Sequence, residues 1–212
     1  MDLIHPLAES YAAAYSTPED PLLAEIKDYT LRNHPKYHML SGHLQGKLLE
    51  MISRMIRPNR ILEIGTFTGY SALCLAKGLT PGGELHTIEL RDEDSATARS
   101  FFNRSSLGSR IISHTGNALK LIPEIAGPWD LVFIDADKVS YIDYFNLVIP
   151  QLRQNGYILA DNIFFHGEVL EKEVKGKSAQ AIQAFNNFIL ERTDIDKMII
   201  TLRDGLYLMR KL

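Results

Sequence analysis

With one cysteine, Cys74, in 212 residues, no internal disulfide can form, and the fold must rest on a buried apolar core. The apolar run around that cysteine, YSALCLAKGL, makes it a packing residue, and a reducing cytoplasm is the expected compartment. No stretch approaches the roughly 18 consecutive apolar residues of a membrane span. The amino terminus, MDLIHPLAESYAAAYS, lacks a basic region ahead of a long apolar core and does not read as a secretory signal. Excess positive charge is missing too. The 23 Lys and Arg stand against 26 Asp and Glu, a net charge of −3, without the basic field that nucleic-acid binding usually needs. Both common phosphate-cradling loops, G-x-G-x-x-G and G-x-x-x-x-G-K-[ST], are absent as well.

What remains is an ordinary globular composition, 45% hydrophobic and 23% charged, of a length that suits a single domain over residues 1–212. Residues 1–40, interrupted by Pro18, Pro21 and Pro35, predict short helices that form a cover. Residues 41–212 predict a core of alternating strands and helices. HLQGKLLEMISRMIR places Leu44, Leu48, Met51, Ile52 and Met55 on one helical stripe ahead of Pro58. Short apolar strands follow at 60–64, 84–89, 110–114, 129–135 and 156–160, with helical segments between them, the spacing of β-α units on a parallel sheet covered on both faces. After the helix SAQAIQAFNNFILER, the runs KMIITL and LYLMRKL flank Asp204-Gly205, which predicts a type I′ hairpin turn and a closing antiparallel strand.

Two strand runs, WDLVFIDADK and GYILADN, break into polar residues at their carboxyl ends. Parallel strands share that edge, so Asp135, Asp161 and Asn162 can meet there as hard oxygen ligands, a set suited to Mg²⁺, with Mn²⁺ or Ca²⁺ as alternatives, and not to zinc. Upstream, RILEIGTFTGYS runs a strand into a glycine turn and a helix, and LHTIEL ends in Glu89 about 20 residues after Gly69, the offset of an acid that accepts ribose hydroxyls. Glu63 would repel a pyrophosphate but suits a cationic aminocarboxylate joined to a sulfonium. A ribose without a neighbouring phosphate, beside such a cation, points to S-adenosylmethionine. A cation that chelates adjacent phenolic hydroxyls would lower their pKa and orient the attacking oxygen. Lys138, three residues after Asp135, can take the proton or stabilise the phenolate, while Asp137 is either a supporting residue or a solvated helix-start acid.

At these residues the chain resembles the cation-dependent, S-adenosylmethionine-dependent O-methyltransferases of the caffeoyl-CoA and catechol type. The likeness runs through MLSGHLQGKLL, ILEIGTFTGYS, HTIEL, FIDADKVSY, ADNIFFHG and the final DG turn. It implies the class I methyltransferase fold, a Rossmann-like three-layer sandwich whose seven-stranded, mostly parallel sheet has one antiparallel strand, and it implies a homodimer. It further implies that Ser41, Glu63, Gly65, Thr66, Ser71, Glu89, Ala118 and Asp135 contact S-adenosylmethionine. Asp135, Asp161 and Asn162 would hold the cation, with Asp135 and Lys138 as the catalytic pair. Asn117 stands where relatives commonly have Asp, and His166 where plant relatives have Asn, which makes His166 a candidate for acceptor contact.

The expected acceptor is a small catechol-like phenol. The alternative within the same chemistry is a hydroxylated uridine in transfer RNA, for which Lys172, Lys175 and Lys177 would supply a local patch. A nicotinamide-dependent oxidoreductase lacks its pyrophosphate loop here, and a non-catalytic binding protein would have no use for the ligand set and Lys138.

Overall fold

Near-continuous apolar runs form the strands because the sheet is buried on both faces. In the computed structural model, which describes residues 3–212, these are β1 (Arg60–Ile64), β2 (Glu84–Glu89), β3 (Ile111–Thr115), β4 (Trp129–Ile134), β5 (Leu152–Asp161), β6 (Ile195–Ile200) and β7 (Leu206–Lys211). Residues 1 and 2 of the predicted cover lie outside the described residues. The seven strands form one sheet in the order β3-β2-β1-β4-β5-β7-β6. Only β7 runs against the others, pairing antiparallel with both β5 and β6. The expected class I topology is therefore present, with the reversal in β1 to β4 that opens a crevice at the strand carboxyl ends.

Alternation along the strands splits the core into two layers. Leu62, Ile64, Val132, Ile134 and Ile158 face α6 (Ala118–Leu121), α7 (Tyr141–Val148) and α8 (Lys177–Glu191), where Ile122, Phe145, Ile182 and Phe185 are fully buried. Ile61, Leu85, Leu131, Phe133 and Leu159 face α3 (His43–Ile56), α4 (Tyr70–Ala76) and α5 (Asp92–Phe102). The amino-terminal helices are α1 (Pro6–Ala14) and α2 (Pro21–Asn33), each begun by proline at its first position, where no intrahelical donor is lost. Part of the cover belongs to the core: Ile26 of α2 is fully buried, and Thr30 donates to Thr68 in the loop after β1 at 3.0 Å.

Three local expectations need correction. The stripe predicted on α3 is divided: Ile52 is buried, whereas Met51 and Met55 are 53% and 72% exposed. The face turned to the sheet carries Gln45, Gly46, Leu49, Ile52 and Ser53, so small and polar residues displaced the obvious apolar ones, because α3 packs closely on α4 and on the functional edge. The hairpin between β6 and β7 is also not a two-residue type I′ turn. Its link spans residues 201–205, and the left-handed residues are Arg203 and Gly205. Asp204 is used otherwise: its backbone carbonyl accepts from Phe164 N and its carboxylate accepts from Asn162 Nδ2 at 3.2 Å. Strand β5 begins earlier than predicted, because exposed Arg153, Gln154 and Asn155 extend it past the apolar run.

Leu49, fully buried on the true inner face of α3, sets a test of that face. Leu49→Ala is expected to cost about 2–5 kcal/mol in a urea titration. A loss below about 1 kcal/mol would place Leu49 off the core.

Candidate functional site

Three strand ends converge at the crevice. Gly65 follows β1, Asp135 follows β4, and Asp161 ends β5; Asp135 N donates to Ile64 O at 2.8 Å, and β4 pairs with β5 in the register Ile134↔Ala160. Asp135 and Asp161 therefore occupy adjacent places on one edge. Gly65 holds φ 103°, and a Cβ there would meet the Asp135 carbonyl oxygen at 2.1 Å, so only glycine lets the turn after β1 lie against the β4 end. A cavity of about 660 Å³ opens along this edge. Ser41, Gly65, Thr66, Ser71, Glu89, Ala118, Asp135, Lys138, Asp161, Asn162 and His166 all line it.

The acidic end is tightly wired. Lys138 Nζ donates to Asp135 Oδ1 at 2.9 Å and to the Tyr141 hydroxyl at 2.8 Å, and that hydroxyl donates to the Asp161 backbone carbonyl at 2.9 Å. Asp161 accepts from Gln45 Nε2 at 2.6 Å and from Asn162 N at 2.8 Å. Burial pushes the Asp161 carboxyl up to about 6, and the neighbouring Asp135 charge pushes the same way, against Lys138, Gln45 and Arg203. Burial alone would move Lys138 toward neutrality; Tyr141 and the carboxylates of Asp135 and Asp161 more than offset it, holding the ammonium above its ordinary pKa. Asn162 Nδ2 is committed to Asp204, which leaves the amide oxygen as the end available to a cation. Among the described residues no three His, Cys, Asp or Glu side chains form a metal-holding group; the candidate set is two carboxylates and one amide. Two like charges forced together in a buried place, with hard oxygens only, suit a divalent cation of the Mg²⁺ kind.

The other end of the cavity carries a pre-positioned carboxylate, the kind of acceptor a ribose could use. Glu89 accepts from Phe67 N at 2.8 Å and Arg91 N at 3.1 Å, so backbone amides fix its carboxylate before any ligand arrives. Glu63 is the exception among the predicted contacts. It is fully buried, absent from the cavity wall, and reached through Thr66, whose hydroxyl meets that of Thr87, which in turn donates to Glu63 Oε2. Its Oε1 is buried without a partner, and burial pushes the carboxyl up to about 8. An orphaned acid one layer behind the wall fits a cationic group on the ligand. Asn117 caps α6 by accepting from Leu119 N, which uses its carbonyl and leaves the amide nitrogen to the cavity. His166 sits on the rim with its side chain 72% exposed. Asp137 is exposed at the start of the turn that carries Lys138, and its carboxylate accepts from Tyr144 and Ser140.

A family model described as O-methyltransferase matches residues 12–212. The chain belongs to the O-methyltransferase family. The catechol O-methyltransferase of Niastella koreensis is 33% identical over 186 residues, covering 86% of this chain and 83% of that one. The O-methyltransferase of Bacillus cereus, solved in complex with S-adenosylhomocysteine (SAH), superposes with a TM-score of 0.89 at 28% identity, covering 97% of each chain. A SAH-bound methyltransferase from Podospora anserina gives 0.90 at 28% identity, covering 97% of this chain and 94% of that one. The resemblance to the caffeoyl-CoA and catechol type is thus borne out for family and fold.

The methyltransferase also gathers at this edge residues that the sequence pattern did not single out. Gln45 and Arg203 reach Asp161 and Gln45 from 116 and 158 residues away, and nothing local marks them. Tyr141 had a usable signal, since it lies three residues beyond Lys138 at the start of α7.

A neutral Glu63 has a pH signature. Its pKa is raised on folding, so its contribution to stability is complete below about 4.5 and is lost as pH rises through about 8. Glu63→Gln removes that loss. In ligand-free protein the variant's melting temperature should match the parent's near pH 4.5 and exceed it by several degrees at pH 8, at roughly 2–4 °C per kcal/mol. A difference that stays flat across this window would show that Glu63 is ionised in the fold.

Proposed function

We propose that this enzyme transfers a methyl group from S-adenosylmethionine to a hydroxyl of a small catechol-like phenol, with a divalent cation, Mg²⁺ foremost, held by Asp135, Asp161 and Asn162. The observation that carries the reading is the pairing of Asp135 and Asp161 on adjacent strand ends, beside Lys138 and in one cavity with Glu89. The relatives support the donor: the Bacillus cereus and Podospora anserina structures hold SAH, the product of such a transfer.

Each residue then has a task. Glu89, preset by two backbone amides, accepts the ribose hydroxyls. Glu63 stays neutral until the cationic end of the donor lies in front of it. When bound, the cation would chelate adjacent hydroxyls and lower a phenol pKa whose ordinary value is about 10. Lys138, held as an ammonium, stabilises the negative charge on the attacking oxygen; to act as a base it would first have to shed the proton that Asp135 helps it keep. His166 on the rim meets the outer part of the acceptor. For transfer RNA the surface gives no support: Lys172, Lys175 and Lys177 share their segment with Glu168, Glu171 and Glu173, and Lys175 pairs with Glu173 at 3.4 Å. The lone, buried Cys74 and the lack, among the described residues, of any helix long and apolar enough to cross a membrane fit a reaction in the cytoplasm.

Catechol methylation followed by mass spectrometry tests the reading. Activity with Mg²⁺ should fall at least about a hundredfold in EDTA or in Asp161→Ala, while calorimetric binding of S-adenosylmethionine stays within about threefold of the parent. Full turnover in EDTA would remove the cation from the mechanism.

A homodimer is part of the same proposal. Helix α1 buries none of its nine residues, and its Leu7 and Tyr11, with Tyr15 just after it, are 74%, 64% and 77% exposed. A helix this short does not persist on propensity alone, so this face suits a second copy of the chain. Light scattering should give a dimer for the parent and a monomer for Tyr11→Glu/Tyr15→Glu; a monomeric parent would refute it.

A further inference from the structure

Asp161 is 3% exposed and takes one hydrogen bond on each oxygen: the Asn162 amide on Oδ1 and Gln45 Nε2 on Oδ2. The two donors together set the plane of the carboxylate. Gln45 is itself 2% exposed, on the inner face of α3, so its amide has no water to turn toward. Only one orientation is tolerable. Reversed, its carbonyl oxygen would face a carboxylate, at a cost beyond that of an ordinary unmade hydrogen bond.

What selects the orientation is Arg203. Its Nη1 donates to Gln45 Oε1 at 2.8 Å and also to the Ser41 backbone carbonyl, so the amide can turn only its nitrogen to Asp161. The β6–β7 turn bears a penalty to deliver this guanidinium. Arg203 sits at φ 49°, where a residue with a Cβ is disfavoured and glycine is not.

The geometry points to Gln45 and Arg203 as positioning residues for the cation: Arg203 orients Gln45, and Gln45 orients Asp161. The assignment rests on the cation reading given above. Donors that hold a metal-ligating carboxylate in place typically contribute about 10–100-fold to metal affinity. Lys138 relates to Asp135 as an ion pair, whereas Gln45 brings no charge to Asp161, so its contribution is orientation. The relay also joins the Ser41 backbone, on the cofactor side, to the end of β5.

Mn²⁺ titration followed by electron paramagnetic resonance of the free ion reads this directly, without turnover. Gln45→Leu should weaken Mn²⁺ binding about tenfold or more while leaving SAH affinity unchanged. Arg203→Gly relieves the left-handed strain, so the fold should persist by thermal melting, yet it should weaken Mn²⁺ severalfold in the parent and not at all in the Gln45→Leu background. Equal losses in both backgrounds would show that Arg203 acts independently of Gln45 and overturn the relay. Parent protein that binds Mn²⁺ alongside a Gln45→Leu variant that binds it equally well overturns this assignment alone. Parent protein that takes up no Mn²⁺ overturns the cation reading, and the assignment with it.

Discussion

Two carboxylates held side by side at the ends of β4 and β5 impose the constraint around which this edge of the molecule is arranged. Their proximity follows from strand register, and the burial of Asp161 removes much of the water that would otherwise screen the pair. The compensation comes from three directions: an ammonium from Lys138, an amide from Gln45, and a guanidinium one step further out. Tyr141 ties the ammonium to the Asp161 backbone, so the two sides of the edge keep a fixed spacing.

The cofactor side meets the same difficulty with other means. Glu89 stays a ready acceptor because two backbone amides at the start of neighbouring turns hold it. Glu63 is kept by burial, with one oxygen left unpaired and its carboxyl pushed well above the usual range. Left-handed backbone thus collects along the cavity: Phe67, Asn162, His166 and Arg203 all have positive φ at or beside it.

Much of this was legible beforehand. The ends of β1 and β2 coincide with the apolar runs, because strands buried on both faces leave an uninterrupted signal, and every predicted contact except Glu63 lines the cavity. The misreadings had specific causes. On α3 the periodicity identified a helix but not the inward face, since Gly46 and Ser53 pack closely against α4 while methionines point outward. At Asp204-Gly205 the dipeptide marked the turn, but the need of Asn162 and His166 for the Asp204 carboxylate decided its shape.

Sequence alone determined the order of elements, the closing antiparallel strand and the acidic residues at the strand ends, because each is written in a local run of apolar and polar side chains. Tertiary structure decided which groups surround those acids. Gln45 lies 116 residues from Asp161 and 158 from Arg203, whose own placement depends on a turn geometry set elsewhere, and no local pattern encodes these hydrogen bonds. The upward push on the Glu63 pKa likewise comes from depth of burial, a property of the packed chain and not of the residue.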